Sequence, residues 1–226
     1  MKITYGQSVH GNDEINAVVK TIKKSTQMGE NVKKFEKKIA KLLSKKNGVM
    51  VNSGSSALYL SNKIIQLPKN SKVITPVLTF ATTVSSILQN NLIPSFIDVE
   101  LDTYCIDVDK IEKQIDKNTK AICVPNLIGN LPNWKKIRKI ANKHNLIVIE
   151  DSADTLGAKI DNKYSGFYSD ISITSFYGSH VINCAGNGGM LCTSNKKWTR
   201  DAKILRSWGR SSSILKNSEN IKDRLN

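Results

Sequence analysis

The sequence has 226 residues, of which 39% are hydrophobic and 23% charged, with 13 Gly and 5 Pro. This composition excludes disordered, collagen-like and low-complexity proteins, and the length suffices for one large domain or one and a half, at roughly 150 residues each. The 34 Lys and Arg residues outnumber the 19 Asp and Glu residues, which gives a net charge of +15. Such an excess favours an anionic partner unless the basic side chains are spread over solvent-facing surfaces.

The basic residues are spread in this way, because lysines recur on the solvent faces of nearly all predicted helices without interleaved aromatics. We therefore expect no nucleic-acid partner. No apolar run reaches the roughly 18 to 20 residues of a membrane span, and the N-terminus lacks the apolar segment of a secretory signal, which predicts a cytoplasmic protein with no membrane partner. The four cysteines, Cys105, Cys123, Cys184 and Cys192, contain no Cys-x-x-Cys pair, so we expect packed, reduced thiols and no metal site.

Two amphipathic helices open the chain. Their apolar residues recur at helical spacing, at Ile15, Val18, Val19 and Ile22 in the first and at Val32, Phe35, Ile39, Leu42 and Leu43 in the second. Seven short apolar runs follow, at 49–51, 73–75, 95–98, 121–125, 146–150, 171–175 and 190–193. Segments of helical length separate several of them, at 55–66, 78–90, 107–116 and 133–144. This alternation predicts an α/β fold with a mostly parallel, seven-stranded sheet covered on both faces.

Polar residues follow several of these strands, and in open α/β sheets ligands bind beyond the carboxyl ends of the strands. The first strand runs into the small residues 52–57 and then a helix, a geometry that suits a phosphate but also suits an ordinary helix cap. The fifth strand ends in Glu150 and Asp151; a carboxylate there can cap a helix or bond a cationic ring nitrogen, and the spacing favours the cap. His180 follows the sixth strand, in a loop at the same predicted edge.

Taken together and in order, these motifs resemble the DegT/DnrJ/StrS-type sugar aminotransferase family over residues 5–210. They are Asn-Ser-Gly-Ser-Ser-Ala-Leu at 52–58, Ile-Thr-Pro-x-x-Thr-Phe at 74–80, Ile-Asp-Val-Glu at 97–100, Ile-Glu-Asp at 149–151, Ser-Phe-Tyr at 175–177 and Gly-Asn-Gly-Gly at 186–189. The resemblance implies a three-layer, fold type I large domain that binds pyridoxal 5'-phosphate. It also implies homodimers with a smaller C-terminal domain that act on nucleotide-linked 4-keto-deoxysugars.

The resemblance assigns cofactor contacts to six residues. Ser55 and Ser56 match the phosphate-binding turn, and Ser175 matches a serine that adds a hydroxyl to the same phosphate. Phe80 matches a ring that stacks on the cofactor, although a Phe after a strand is otherwise expected in the core. Asp151 matches the carboxylate that keeps the pyridine nitrogen protonated, and Asp154 takes a position near the ring that is commonly Gln in the aminotransferases.

The sequence departs from the family at His180, where sugar aminotransferases carry the lysine that binds pyridoxal phosphate as a Schiff base. Imidazole cannot form that link, but its ordinary pKa of about 6.5 suits general acid–base work. In this respect the chain resembles the 4-keto-6-deoxyhexose 3-dehydratases, which use noncovalent pyridoxamine 5'-phosphate and expel the C-3 hydroxyl. Two types of these dehydratases resemble the chain at His180, and one of them carries clustered cysteines for an iron–sulfur centre just after an Arg-Ser-Trp-Gly-Arg segment. Here that segment, at 206–210, is followed by Ser211, Ser212, Ser213 and Ile214, so we expect no iron–sulfur centre. The closer resemblance is to the other type, which implies regeneration of the cofactor by glutamate.

The predicted organisation is a pyridoxal-phosphate-binding large domain over residues 1–210 and the start of a truncated continuation over 211–226, with the small domain absent. The predicted function is the 3-dehydration of a nucleotide-linked 4-keto-6-deoxyhexose in deoxysugar and lipopolysaccharide biosynthesis, with His180 as the catalytic acid and base. Two alternatives stay open. One is a nucleotide-sugar aminotransferase with another proton carrier, and the other is a catalytically silent fragment or basic binding module.

Overall fold

The computed structural model describes residues 6, 8–24, 26–180 and 182–214. Seven of its strands form one sheet, and a two-residue hairpin lies apart from it. In chain order the strands are β1 (Asn47–Val51), β2 (Lys72–Pro76), β3 (Ile93–Ile97), β4 (Thr119–Pro125), β5 (Ile147–Asp151), β6 (Lys159–Ile160), β7 (Lys163–Tyr164), β8 (Ile171–Ser175) and β9 (Gly189–Thr193). The hairpin of β6 and β7 was not predicted, because each strand is too short to leave a periodic pattern.

The sheet has the strand order β1-β9-β8-β5-β4-β2-β3. Strand β9 runs antiparallel to both of its neighbours, whereas the pairs from β8 to β3 are all parallel. Each of the seven predicted runs overlaps one of these strands. The prediction of an α/β fold with a mostly parallel, seven-stranded sheet is therefore confirmed.

Helices cover both faces of the sheet. They are α1 (Asn12–Lys24), α2 (Glu30–Leu42), α3 (Gly54–Ile64), α4 (Ala81–Leu88), α5 (Val108–Gln114), α6 (Trp134–Lys143) and α7 (Lys196–Arg206). Helices α3, α4 and α7 pack on one face, and α2, α5 and α6 pack on the other. Asn133 and Asn195 start α6 and α7 by accepting the backbone N–H groups of Lys136 and Trp198, which satisfies donors that the helix itself leaves unpaired.

The two N-terminal helices differ in what their apolar residues contact. Helix α2 buries Ile39 and Ala40 against the sheet, as its periodicity predicts. Helix α1 buries none of its residues, and its four apolar side chains are 42–62% exposed. Amphipathic spacing thus predicts both helices correctly, but it does not reveal which of them packs against the sheet.

Residues 215–226, most of the predicted continuation, lie outside the described part of the chain, and Ser211–Ile214 forms one short 3-10 turn. None of the helices within the described residues is long and apolar enough to cross a membrane. Cys105, Cys123 and Cys192 are buried free thiols, and Cys184 is half-buried.

An ion pair joins three elements at the β1 side of the sheet. The guanidinium of Arg206, at the end of α7, donates to Glu36 on α2 at 2.6 Å and to the carbonyl of Met50 on β1 at 3.3 Å. Glu36 also accepts the N–H of Met50 at 2.9 Å. Because both charged side chains are largely buried, removing one leaves an uncompensated charge in a poorly solvated position.

Replacing Arg206 with Ala should therefore lower the free energy of unfolding by about 3 kcal/mol, measured by urea denaturation. Arg200→Ala on the exposed side of the same helix is the matched control and should change it by less than about 0.5 kcal/mol. Equal losses in the two variants would show that the Arg206–Glu36 pair does not stabilise the fold.

Candidate active site

The candidate site lies at one edge of the sheet, where the carboxyl ends of the parallel strands meet. Val51 at the end of β1 and Ser175 at the end of β8 both lie opposite Gly189, the first residue of the antiparallel β9. Two strands further along, Pro125 at the end of β4 pairs with Asp151 at the end of β5. All segments that carry the sequence-predicted site residues therefore leave the sheet at this same edge.

The turn between β1 and α3 packs directly against the end of β8. Ser53 caps α3, and its hydroxyl accepts the N–H of Ser56 at 3.1 Å. Gly54 lies so close to Ser175 that an added Cβ would be 2.8 Å from the Cβ of that serine, and Gly189 has no room for a side chain against the backbone of Ser53. The N-terminus of α3 and the Ser175 hydroxyl thus share one small region, which fits an anion such as phosphate.

Asp151 is the most deeply buried of the sequence-predicted site residues. Its carboxylate accepts the Thr83 hydroxyl at 3.1 Å and the backbone N–H of Ala153 at 3.2 Å. Burial raises the pKa of Asp151 to about 6, and those two hydrogen bonds only partly oppose that rise. The interpretation of Asp151 as a helix cap is wrong, because no helix follows in residues 152–158.

A buried polar network supports β5 from the opposite face of the sheet. Glu150 is fully buried and accepts the Ser172 hydroxyl at 2.6 Å and the side-chain amide of Asn126 at 2.8 Å. The Asn126 side-chain oxygen accepts the indole N–H of Trp134, and the Asn126 backbone N–H donates to the carbonyl of Asp151. Since each of these buried groups has a partner, the network fixes the strand end that carries Asp151.

His180 and Asp154 come from different loops and face each other at this edge. The His180 Nε2 lies 3.8 Å from a carboxylate oxygen of Asp154, and the other oxygen of Asp154 accepts the backbone N–H of Ile128 at 3.1 Å. The Tyr177 ring meets the imidazole edge-on, with 6.1 Å between ring centroids. The structure therefore groups His180 with Asp154, a pairing that the sequence does not predict.

Phe80 lies at the start of α4, and its side chain is 69% exposed. The expectation of an ordinary core position for this ring is therefore wrong. Phe80 accepts the backbone N–H of Thr83 through its carbonyl, and Thr83 in turn bonds Asp151, so the exposed ring and the buried carboxylate belong to one connected unit. Ser55 and Ser56 are half-buried in the first turn of α3.

Three contributors to the site were missed by sequence reasoning. Gly54 is part of the predicted turn, but its contact with Ser175 depends on the insertion of β9 between β1 and β8. Thr83 carries no local signal beyond its place one helical turn after Phe80. Ile128 has a backbone φ of 56°, a strained conformation for a β-branched residue that costs on the order of 1–3 kcal/mol, and nothing in its sequence context indicates this.

The sequence of the chain is similar to a family model and to several curated proteins. The model of the DegT/DnrJ/EryC1/StrS aminotransferase family matches residues 9–223. A dTDP-4-dehydro-2,6-dideoxy-D-glucose 3-dehydratase of Saccharopolyspora spinosa is 32% identical over 91% of this chain and 46% of its own length. A GDP-perosamine synthase of Escherichia coli O157:H7 is 35% identical over 74% of this chain and 46% of its own length. The chain thus spans about half the length of the curated relatives that it matches.

Solved structures give the same fold and include cofactor complexes. The E. coli GDP-4-keto-6-deoxy-D-mannose-3-dehydratase with bound hydrated pyridoxal phosphate superposes with a TM-score of 0.88 at 28% identity, over 96% of this chain and 58% of that one. The NtdA protein of Bacillus subtilis with bound pyridoxamine phosphate gives a TM-score of 0.82 at 29% identity, over 92% and 48% of the two chains.

The raised pKa of Asp151 predicts a pH-dependent stability difference. The pKa of this carboxyl group is about 6 in the folded chain and 3.8 in the unfolded chain. Ionisation therefore lowers the free energy of unfolding above pH 6, and this reduction disappears as the pH falls towards 3.8. The free energy of unfolding of Asp151→Asn minus that of the wild type should therefore be about 2 kcal/mol larger at pH 7.5 than at pH 4.5.

The measurement is urea denaturation without added cofactor at both pH values. Asp102→Asn, which removes one exposed carboxylate, serves as the matched control. A difference for Asp151→Asn that does not grow with pH would contradict the burial-driven shift in the pKa of this carboxyl group.

Proposed function

The chain belongs to the DegT/DnrJ/EryC1/StrS aminotransferase family, and we propose that it is the cofactor-binding part of a nucleotide-sugar 3-dehydratase. The substrate class that we propose is a nucleotide-linked 4-keto-6-deoxyhexose, as named for the E. coli dehydratase of similar fold. Homodimer formation, glutamate as amino donor and a role in lipopolysaccharide biosynthesis stay predictions of the same proposal.

One observation carries the choice of a dehydratase, namely the imidazole of His180 at the position where the family's aminotransferases have their lysine. The contacts of this side chain support an acid–base role. Its Nε2 faces Asp154, and its Nδ1 is buried without a hydrogen-bond partner among the described residues. A buried polar nitrogen without a protein partner is uncommon in folded proteins and is found where a ligand or a catalytic role accounts for it.

The residues present fit pyridoxamine or pyridoxal phosphate. The close approach of Gly54 to Ser175 leaves a cradle of backbone N–H groups and hydroxyls at the start of α3, where Ser55, Ser56 and Ser175 would hold the phosphate. Asp151 would hold the ring nitrogen, and a protonated pyridine beside it would restore this carboxyl group to its ionised form. These are the cofactor-binding roles that we propose, with Phe80 presenting an exposed ring at the same edge.

The bound cofactor would supply an electron sink for bond breaking next to a carbonyl-derived carbon. The chain's own residues would orient the reactants and move protons. Asp151 would keep the ring nitrogen protonated, and His180 would give a proton to the C-3 hydroxyl oxygen of the sugar as that oxygen leaves as water. Asp154 would stand beside His180 at the mouth of the site, where its carboxylate is half-exposed.

A second candidate is a sugar aminotransferase, which the similarity to GDP-perosamine synthase favours. The two candidates differ in the sugar product. Incubation of the chain with pyridoxamine phosphate and GDP-4-keto-6-deoxy-D-mannose, followed by mass spectrometry, separates them. We expect a product that has lost the C-3 oxygen. A product that has gained nitrogen at C-4 would replace the dehydratase proposal with the aminotransferase.

The first test of the proposal is the amino-transfer half-reaction. Mixing the chain with pyridoxal phosphate and glutamate should yield pyridoxamine phosphate and 2-oxoglutarate, both measured by chromatography against free cofactor. His180→Asn should slow their formation by at least about 100-fold, the lower range for loss of a general acid–base group, while cofactor binding persists.

The control for this test is His144→Asn. His144 lies at the end of α6, where its ring bonds Glu112, and the variant should keep the wild-type rate. Equal rates for wild type and His180→Asn would show that the imidazole is not the proton carrier.

A further inference from the structure

The pairing of His180 with Asp154 raises the question of what the carboxylate does for the imidazole. We propose that Asp154 is a positioning residue that binds His180 through Nε2–H and thereby leaves Nδ1 as the unprotonated nitrogen of the neutral ring. This inference rests on the proposed function and deepens it, because it states which ring nitrogen of His180 would accept a proton.

The geometry gives the first argument. The Asp154 carboxylate lies 3.8 Å from Nε2 of His180, and Nδ1, the other ring nitrogen, is buried without a hydrogen-bond partner among the described residues. A distance of 3.8 Å is an ion-pair distance and exceeds that of a direct hydrogen bond, which a small rotation or a bridging water would complete. A carboxylate only accepts hydrogen bonds, so the nitrogen that faces it is the one that carries the proton.

The second argument is that the carboxylate is itself held in place. One oxygen of Asp154 accepts the backbone N–H of Ile128, which leaves the other oxygen directed at His180. Ile128 supplies this N–H from a left-handed conformation, with a φ of 56°, and its side chain is exposed. No packing of the Ile128 side chain therefore explains the strain, and strained backbone of this kind is concentrated at functional sites.

These contacts predict an unusual effect of Asp154→Asn. The Ile128 N–H lies 3.1 Å from Asp154 and the His180 Nε2 lies 3.8 Å from it, so the amide oxygen of the new side chain should keep the shorter hydrogen bond to Ile128. The amide NH2 then faces Nε2 of His180. Because the NH2 group can only donate, Nε2 must act as the acceptor. The neutral imidazole should therefore change to the tautomer that carries its proton on Nδ1.

The tautomer can be read by nitrogen-15 NMR of the uniformly labelled chain, without cofactor, at a pH where the ring is neutral. The sequence has three histidines, so His10→Gln and His144→Gln suffice to assign the His180 signals. We expect the Nε2–H form in the wild type and the Nδ1–H form in Asp154→Asn. Asp154→Ala should give a mixture of the two, and Asp161→Asn, an exposed aspartate elsewhere, should match the wild type.

The outcomes separate this inference from the proposed function. If Asp154 only fixes the loop around Ile128, the amide of Asp154→Asn serves equally well and the His180 tautomer stays unchanged, which would overturn the positioning role. The half-reaction of His180→Asn tests the function independently. If the tautomer inverts in a chain that transfers no amino group, the positioning role stands and the function fails. Where both hold, Asp154→Asn should lower kcat by roughly 10- to 100-fold with little change in KM.

Discussion

The close approach of two backbone segments at Gly54 and Gly189 is the constraint on which the rest of the site depends. Strand β9 runs antiparallel between β1 and β8, so its first residue meets the turn that leads from β1 into α3. That meeting leaves no space for a side chain at Gly189 and little at Gly54. The N-terminus of α3 is thereby fixed beside the end of β8, and one sheet edge brings together a helix N-terminus, a buried carboxylate and an imidazole.

Burial of Asp151 gives this edge its electrostatic character. Isolated from water, the carboxyl group has a raised pKa, and the hydroxyl and N–H groups that bond it do not fully replace hydration. A cation beside Asp151 would stabilise its ionised form, and under the proposed function a protonated ring nitrogen would supply one. The Glu150 network on the opposite face holds the strand end in place, so Asp151 keeps its position although its burial lowers the free energy of unfolding above pH 6.

The sequence allowed the sheet to be predicted almost completely, because each central strand is a continuous apolar run with turn residues at its ends. Helix α7 was missed because its exposed face is rich in Lys and Arg and few of its residues are buried.

At the site, residue types and strand ends predicted which side chains share an edge. The pairs Thr83 with Asp151 and Asp154 with His180 could not be predicted, since they join segments that are far apart in sequence. The first depends on how α4 packs at the end of β5, and the second depends on loop geometry. The role of Asp151 as a helix cap, which local spacing favoured, failed for the same reason: its partners come from tertiary structure.

The fluorescence of Trp134 can report on the polar network around Glu150 and Asn126, because its indole N–H belongs to that network. Its indole is fully buried and bonds Asn126, whose backbone N–H bonds Asp151, whereas the ring of Trp208 is 81% exposed. Trp198, the third tryptophan, is half-buried. The emission of Trp134 and Trp208 therefore differs in wavelength, since only the Trp208 ring is surrounded by water. Under the proposed function, a chromophore bound at Asp151 would lie within reach of excitation transfer from Trp134, which is two hydrogen bonds from the backbone carbonyl of Asp151. Quenching of the Trp134 emission would then report occupancy of the site.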